Sequence, residues 1–204
     1  MLLSLLATAA VADTPPAPEL AAVVQAVEKR YAEVTTLQAA FVQTSHSSLY
    51  GDDRQAGMLF LERPNHMRWE FETDHKLFLA DGTHLWIATP ADHQVLKSVQ
   101  VEGAGGADVL LTSLAHLSER FEASLVPEPG VTHLALAPRE KDAAFSKIEV
   151  VLDGELALKR LVLTDMTGTV TDLAFTDVKL GAALAPELFQ MVVPEGATVV
   201  DMGG

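Results

Sequence analysis

The chain has 204 residues, 49% of them hydrophobic and 21% charged, with 28 acidic against 14 basic side chains and no cysteine. That length suits one domain, and the apolar share can bury a core and excludes native disorder. A formal charge of −14 repels phosphate backbones and anionic bilayers, so nucleic acid is a poor partner; the absence of cysteine excludes disulfides, thiolate metal sites, cysteine nucleophiles and a lipidated cysteine.

Residues 1–12 are an uncharged apolar run ending in Ala10-Val11-Ala12, followed by polar Asp13-Thr14. Small residues before a cut after Ala12 suit a secretory leader, leaving a single domain over 13–204; no basic residue precedes the run, so the start lies inside a longer leader or the run is the end of a core helix. About 20 apolar residues are needed to span a bilayer, and Pro15, Pro16 and Pro18 end this run too soon. The mature chain is expected to be soluble and exported.

From Glu19 the apolar residues Leu20, Val23, Val24, Val27, Tyr31, Val34 and Leu37 recur every three or four positions, which predicts an amphipathic helix with Pro18 in its first turn. The period then changes to two, predicting strands at 41–45, 58–63, 67–72, 76–80, 84–88 and 95–101. After the Gly103-Ala104-Gly105-Gly106 joint a second helix is expected over 107–117, with Val109, Leu110, Leu114 and Leu117 on its apolar side. Strands resume at 122–126, 131–137, 147–152, 157–164 and 170–178. Asp81-Gly82, Asp153-Gly154 and Thr167-Gly168 read as tight hairpin turns. The expected fold class is mainly β (α+β): an antiparallel sheet or barrel of about eleven strands, curved around something helical.

Alternation fails in three places. Met58-Leu59-Phe60-Leu61, Leu77-Phe78-Leu79-Ala80 and Leu85-Trp86-Ile87-Ala88 are apolar on both faces, so each face needs a cover. Two helices over about eleven strands leave part of the concave side unfilled, which predicts a greasy pocket; a tightly packed two-layer core satisfies the same pattern.

Catalytic signatures are scarce. There is no P-loop, zincin helix or Gly-x-Ser-x-Gly elbow, and Gly103-Ala104-Gly105 lacks the third glycine of a dinucleotide loop. His66, His75, His84 and His93 recur every nine residues. With Asp81-Gly82 as a two-residue turn, His84 faces Leu79 and His75 faces Ala88, on one face but roughly 13 Å apart at about 3.3 Å per residue, too far for one ion. The carboxylates show no pair suited to acid/base work. No metal site, cofactor or catalytic residue is expected.

The segment from Leu59 to Glu72 is more peculiar, since two strands flank Arg63-Pro64. An odd loop over 64–66 puts Arg63 on the same face as Leu59, Leu61, Met67 and Trp69, an arginine on the greasy side whose donors suit the free carbonyls at a helix C-terminus. An even loop leaves it at a solvated rim beside Glu62. The residues alone leave both open.

The Arg63-Pro64-x-x-Met67-Arg68-Trp69 turn, the Leu79-Ala80-Asp81-Gly82-x-x-Leu85-Trp86 hairpin and the tail motifs Pro186-Glu187-Leu188-Phe189 and Val193-Pro194-Glu195-Gly196 resemble the periplasmic outer-membrane lipoprotein carrier proteins of the LolA type. The resemblance runs in order over residues 19–201. It implies an unclosed antiparallel β-barrel with a helical lid over a hydrophobic cavity. The function it implies is a non-enzymatic carrier that takes lipoproteins, their acyl chains sheltered, from an inner-membrane ABC-type release complex to an outer-membrane acceptor. It makes Arg63 the lid latch, which selects the odd loop, and places Val23, Val27, Phe41, Leu59, Leu61, Met67, Trp69, Phe71, Leu77, Leu79 and Trp86 as expected lining of the cavity. Met67 stands where the family carries Phe, and the lack of cysteine separates the chain from the lipidated acceptor of similar fold. A periplasmic monomer is expected; a carrier of another glycolipid or lipid precursor, and an envelope module that senses lipoproteins, are the alternatives.

Overall fold

A computed structural model describes residues 18–49, 51–100, 108–140 and 144–203. The proposed leader over 1–12 and the glycine joint at 103–106 lie outside these residues. Helix α1 (Pro18–Ala32) begins on Pro18, with Glu19 in its first turn and Lys29 and Arg30 in its last, each charge suited to the helix dipole. It ends earlier than its apolar spacing suggests: Val34 lies beyond it, and Leu37 is already in β1 (Thr36–Ser47). The run Val34-Thr35-Thr36 is β-branched, which favours extended backbone.

Ten further strands follow in the predicted order: β2 (Gly51–Glu62), β3 (His66–Phe71), β4 (Leu77–Asp81), β5 (His84–Thr89), β6 (Gln94–Val99), β7 (Phe121–Leu125), β8 (Thr132–Pro138), β9 (Phe145–Leu152), β10 (Leu158–Asp165) and β11 (Val170–Leu180). A twelfth, β12 (Thr198–Asp201), pairs parallel to β6; every other pairing is antiparallel. Among the described residues they form one sheet in the order β12-β6-β5-β4-β3-β2-β1-β11-β10-β9-β8-β7, whose two ends do not pair with each other. The barrel is therefore unclosed. Between β6 and β7 the predicted second helix is broken into segments Asp108–Thr112, α2 (Ser113–Ala115) and α3 (Leu117–Arg120), and it runs past its expected end at residue 117.

The concave face and the helices share one apolar cluster. Val24, Val27 and Tyr31 of α1 and Leu111, Leu114 and Leu117 of the broken helix meet Leu59, Leu61, Leu134, Leu152, Leu158 and Leu173. Tyr31 is fully buried, and its hydroxyl donates to the Leu156 carbonyl at 3.1 Å; burial pushes the phenol well above its ordinary pKa. Glu28 ties α1 to the broken helix, accepting from Ser118 N–H and Oγ–H, both at 2.7 Å. Between β2 and β3 the strands approach so closely at Gly57 that a Cβ would lie 1.7 Å from the Glu70 carbonyl oxygen and 3.0 Å from the Phe41 ring.

The turns differ from the tight Asp-Gly hairpins expected. Asp81 and His84 end their strands, so Gly82-Thr83 is the two-residue loop, with Gly82 at φ +89° as its first residue. Asp81 works through its side chain instead, Oδ1 accepting from Thr83 N–H and His84 N–H at 2.8 and 2.7 Å. Asp153 does the same for Glu155 and Ala157 in a longer loop whose left-handed residue is Leu156, not Gly154. At the third turn the left-handed residue is Gly168, and Asp165 supplies the side-chain acceptor to Thr167 and Thr169. The register of β4 on β5 is consequently two residues from the expected one: Leu79 faces Trp86 and Leu77 faces Ala88.

Candidate functional site

Register decides which side chains face the cavity. The β2–β3 turn is odd and three residues long, but it lies one residue before the expected 64–66: Glu62 pairs with His66 and Leu61 with Met67, so Arg63-Pro64-Asn65 is the loop. Its Arg63–Pro64 peptide is cis and Asn65 is left-handed at φ +62°. From there the concave face reads Leu61, Met67, Ala80 and Leu85 across β2 to β5, with Leu59, Trp69, Phe78 and Ile87 in the next row.

The apolar cluster does not fill that concave side. A cavity of about 730 Å³ remains, within the size range of ligand pockets. Leu59, Leu61, Met67 and Trp69 form one wall; Leu161, Leu163, Leu173 and Phe175 from β10 and β11, with Ile148 and Val150 from β9, form the other. Leu110, Leu114 and Leu117 of the broken helix roof it. Among the described residues, the charged lining consists of Glu119, Arg120, Arg139 and Glu140. Arg139 N–H donates to the Arg120 carbonyl at 2.9 Å and its Nε–H to the Ser118 carbonyl at 3.3 Å, fastening the β8 end to the roof.

Of the residues expected from the sequence, Leu59, Leu61, Met67 and Trp69 line this cavity. Val23, Val27, Phe41 and Phe71 belong to the apolar cluster around it without lining it. Phe41 holds Trp69 and Phe71 edge-on at 5.4 and 5.3 Å, and Trp69 and Phe71 lie parallel at 6.1 Å, so this layer fixes the indole. Leu77, Leu79 and Trp86 are corrections. They alternate with Phe78, Ala80, Leu85 and Ile87 and project from the opposite, convex face. With both faces apolar, only the β3–β4 register separates the two sets, and it pairs Trp69 with Phe78.

Arg63 continues the row of Leu59 and Leu61, the inward parity of the odd loop. Its backbone N–H donates to the Thr35 carbonyl at 2.8 Å. The guanidinium Nε and Nη2 are buried, with no hydrogen-bond partner among the described residues.

The C-terminal segment lies against the convex face at β3 and β4. The 3-10 turn Pro186–Phe189 lies against β3: Arg68 Nη1–H donates to the Leu188 carbonyl at 3.0 Å, and the Phe189 and His66 rings are 5.2 Å apart. Leu79, Ala88, Val95 and Phe189 are buried, while Leu77 borders a smaller groove of about 310 Å³ under this tail. Trp86 donates through Nε1–H to Asp81 Oδ2 at 2.7 Å. Burial raises the Asp81 pKa, but the hydrogen bonds from Trp86, His84 and Thr83 outweigh it and hold the carboxyl below its ordinary value.

The four regularly spaced histidines are scattered by this register. His66 lies beside Phe189 and His84 beside Asp81, while His75 and His93 occupy left-handed positions outside the strands, so His75 does not face Ala88 as the expected turn required. Among the described residues no group of three or more His, Asp or Glu is placed to hold a metal ion.

The second wall and the charged rim were not singled out from the sequence. Alternation at Ile148/Val150, Leu161/Leu163 and Leu173/Phe175 carries a signal for the wall, whereas nothing periodic marks Glu119, Arg120, Arg139 or Glu140.

Comparison with known proteins bears on the family and the fold. An outer-membrane lipoprotein carrier protein of Alkalilimnicola ehrlichii is 31% identical over 178 residues, covering 85% of this chain and 81% of the relative. One of Chromobacterium violaceum is 30% identical over 203 residues, covering 98% and 97%. Among solved structures, an uncharacterised conserved protein of Thermus thermophilus has the same fold at TM-score 0.53, with 18% identity over 89% of this chain and 99% of that one. The family model for outer membrane lipoprotein carrier protein LolA matches residues 32–192, and the chain belongs to that family.

Proposed function

We propose that this protein is a non-enzymatic carrier that shelters the acyl chains of lipoproteins and moves them through the periplasm toward the outer membrane. One observation carries the reading: the concave face of a sheet from the lipoprotein-carrier family leaves an apolar cavity of about 730 Å³ under a helical roof. Each methylene removed from water is worth about 0.8 kcal/mol, so partial shelter of an acyl chain holds a lipoprotein while allowing its release. Leu59, Leu61, Met67 and Trp69 contact the chains, with Val27, Phe41 and Phe71 behind them. Leaving the inner membrane requires a release complex of the ABC type, and unloading requires an outer-membrane acceptor. Among the described residues no helix is long and apolar enough to cross a membrane, which suits a carrier that travels between two of them. Residues 1–12 serve as its export leader.

Arg63 biases the roof between closed and open. Its two buried donors have no acceptor among the described residues, so they favour an unloaded, closed roof that brings carbonyls to them, and Arg63→Leu removes that bias while keeping an apolar side chain. The variant is expected to load normally and unload poorly.

The direct test mixes purified protein with a diacylated lipoprotein in detergent, removes the detergent, and asks whether the lipoprotein stays soluble in a one-to-one complex. Soluble complex is expected. Precipitation of the lipoprotein in the presence of folded protein contradicts the proposal.

A further inference from the structure

We infer that the outer edge of β12 is a docking site for an extended, basic peptide segment of a partner protein, which adds to the sheet as a further strand. The inference goes beyond the carrier reading and does not depend on it, since no residue of β4, β5, β6 or β12 is among the described lining of the cavity. β12 ends the sheet, and no described strand pairs with its far side. Thr198 N–H and Met202 N–H donate to the His93 and Lys97 carbonyls, both at 2.8 Å. Backbone groups along a strand alternate in direction, so the N–H and C=O of Val199 and Asp201 point away from β6 toward solvent. They are two donors and two acceptors spaced as a neighbouring strand needs them.

The side chains leave this strand equally bare. Val199 and Val200, on opposite faces, are 44% and 37% exposed. Pairing of Asp201 with Lys97 brings Met202 and Val99 to one end of the same edge, and both are exposed. These are four of the eight large apolar side chains exposed among the described residues, gathered on one edge. The opposite end of the sheet shows how an edge is guarded: β7 packs against α1 and α3, and its Glu122 pairs with Arg139. On β12 all four residues are exposed, the run Thr198-Val199-Val200 is β-branched without proline, and the one charge, Asp201, is paired with Lys97 at 3.7 Å.

The occupant follows from the chemistry of the edge. Donor and acceptor pairs at alternate residues, flanked by apolar side chains on both faces, are matched by an extended peptide backbone. A second copy of this chain would bring its own charge of −14 against the first, whereas a segment with lysine or arginine beside its apolar residues is attracted. A partner docked on β12 leaves the cavity free, so it holds the protein empty or loaded.

The probe is the peptide acetyl-Lys-Thr-Val-Thr-Val-Lys-amide, titrated into the 15N-labelled full chain. Amide shifts are expected along β12, and replacing both lysines of the peptide by glutamate should weaken binding. Two further peptides carry N-methyl groups on alternate residues, one on each set. A strand edge pairs with one set only, so one peptide is expected to bind like the parent and the other at least about tenfold more weakly. In the protein, Val199→Pro removes an outward N–H and keeps the inward bonds of Thr198 and Met202; it should weaken the parent peptide about three- to tenfold, and Val199→Thr, which retains the N–H, by less than about twofold. Equal binding of the two methylated peptides, unchanged affinity in Val199→Pro, or no shift in β12 at the solubility limit of the parent peptide overturns the docking edge. Equal binding of the lysine and glutamate peptides overturns the basic partner, as does dimerisation of the protein alone that Val199→Pro abolishes, which would make a second copy the occupant.

Discussion

Strands β4 and β5 carry apolar side chains on both faces, and the two faces are finished differently. On the convex face the C-terminal turn packs on β3 and β4, Leu79, Ala88, Val95 and Phe189 are buried, and a small groove remains at Leu77. On the concave face α1 and a broken helix span a wider sheet, and a cavity remains between Trp69 on one wall and Leu163 and Phe175 on the other. Similar composition thus yields a packed layer where the cover is a chain segment that follows the strands. It yields a void where the cover is helical, because cylinders bridge a curved sheet without filling it. Stability should reside in the first face and binding in the second.

The largest expected effect breaks the packed face. Phe189→Ala removes a buried ring and should cost about 3–5 kcal/mol in urea unfolding, with acyl binding per folded molecule unchanged. Loss of binding without loss of stability would show that the two faces are not separable. Next comes Gly57→Ala, at the filled edge of the concave face, where the new Cβ meets the Glu70 carbonyl. It should cost about 3 kcal/mol by forcing β2 and β3 apart, measurable as a lowered unfolding midpoint. A neutral result would mean that the strands there separate easily.

The comparison is sharpest in a pair of enlargements. Ile148→Trp places extra volume in the cavity and should change stability by less than about 1 kcal/mol while reducing acyl capacity, whereas Ala88→Leu adds less volume to the packed face and should cost about 1–3 kcal/mol. The reverse order of costs would contradict the void.

These contrasts also mark what the sequence could show. Eleven strands were legible because period-two segments lie between turn residues, whereas the residues alone left the parity of Arg63 open and only the family resemblance pointed to the odd loop, whose left-handed position Asn65 occupies. The twelfth strand was not: Thr198–Asp201 is four exposed residues with no alternation of burial, ordered by parallel pairing to a β6 that lies far away in sequence. Leu77, Leu79 and Trp86 were placed on the wrong face because parity in a doubly apolar strand is set by the loop before it, and the turn from Phe71 to Leu77 carries no residue that fixes its length. The break in the second helix was hidden as well, since Leu111, Leu114 and Leu117 keep a helical spacing through it.

The smallest effect concerns the convex hairpin. Asp81→Asn should cost under about 1 kcal/mol at pH 7, since the side chain is partly exposed and the amide oxygen still accepts. The folded-state pKa of Asp81 is depressed, so the charge contributes stability above the unfolded carboxylate pKa and loses that contribution as pH falls through the lower folded value. The wild-type advantage should therefore be present at pH 7 and disappear under strongly acidic conditions; an advantage that grows on acidification would reverse the sign.

The central claim is that the concave face encloses a usable apolar void. An environment-sensitive hydrophobic dye, titrated into folded protein and then displaced with a diacylated lipopeptide, measures this most directly. Saturable binding near one dye per chain, loss of the signal on adding lipopeptide, and weakened binding in Ile148→Trp are predicted. Negligible dye fluorescence until the protein unfolds, or equal binding by wild type and Ile148→Trp, would contradict it.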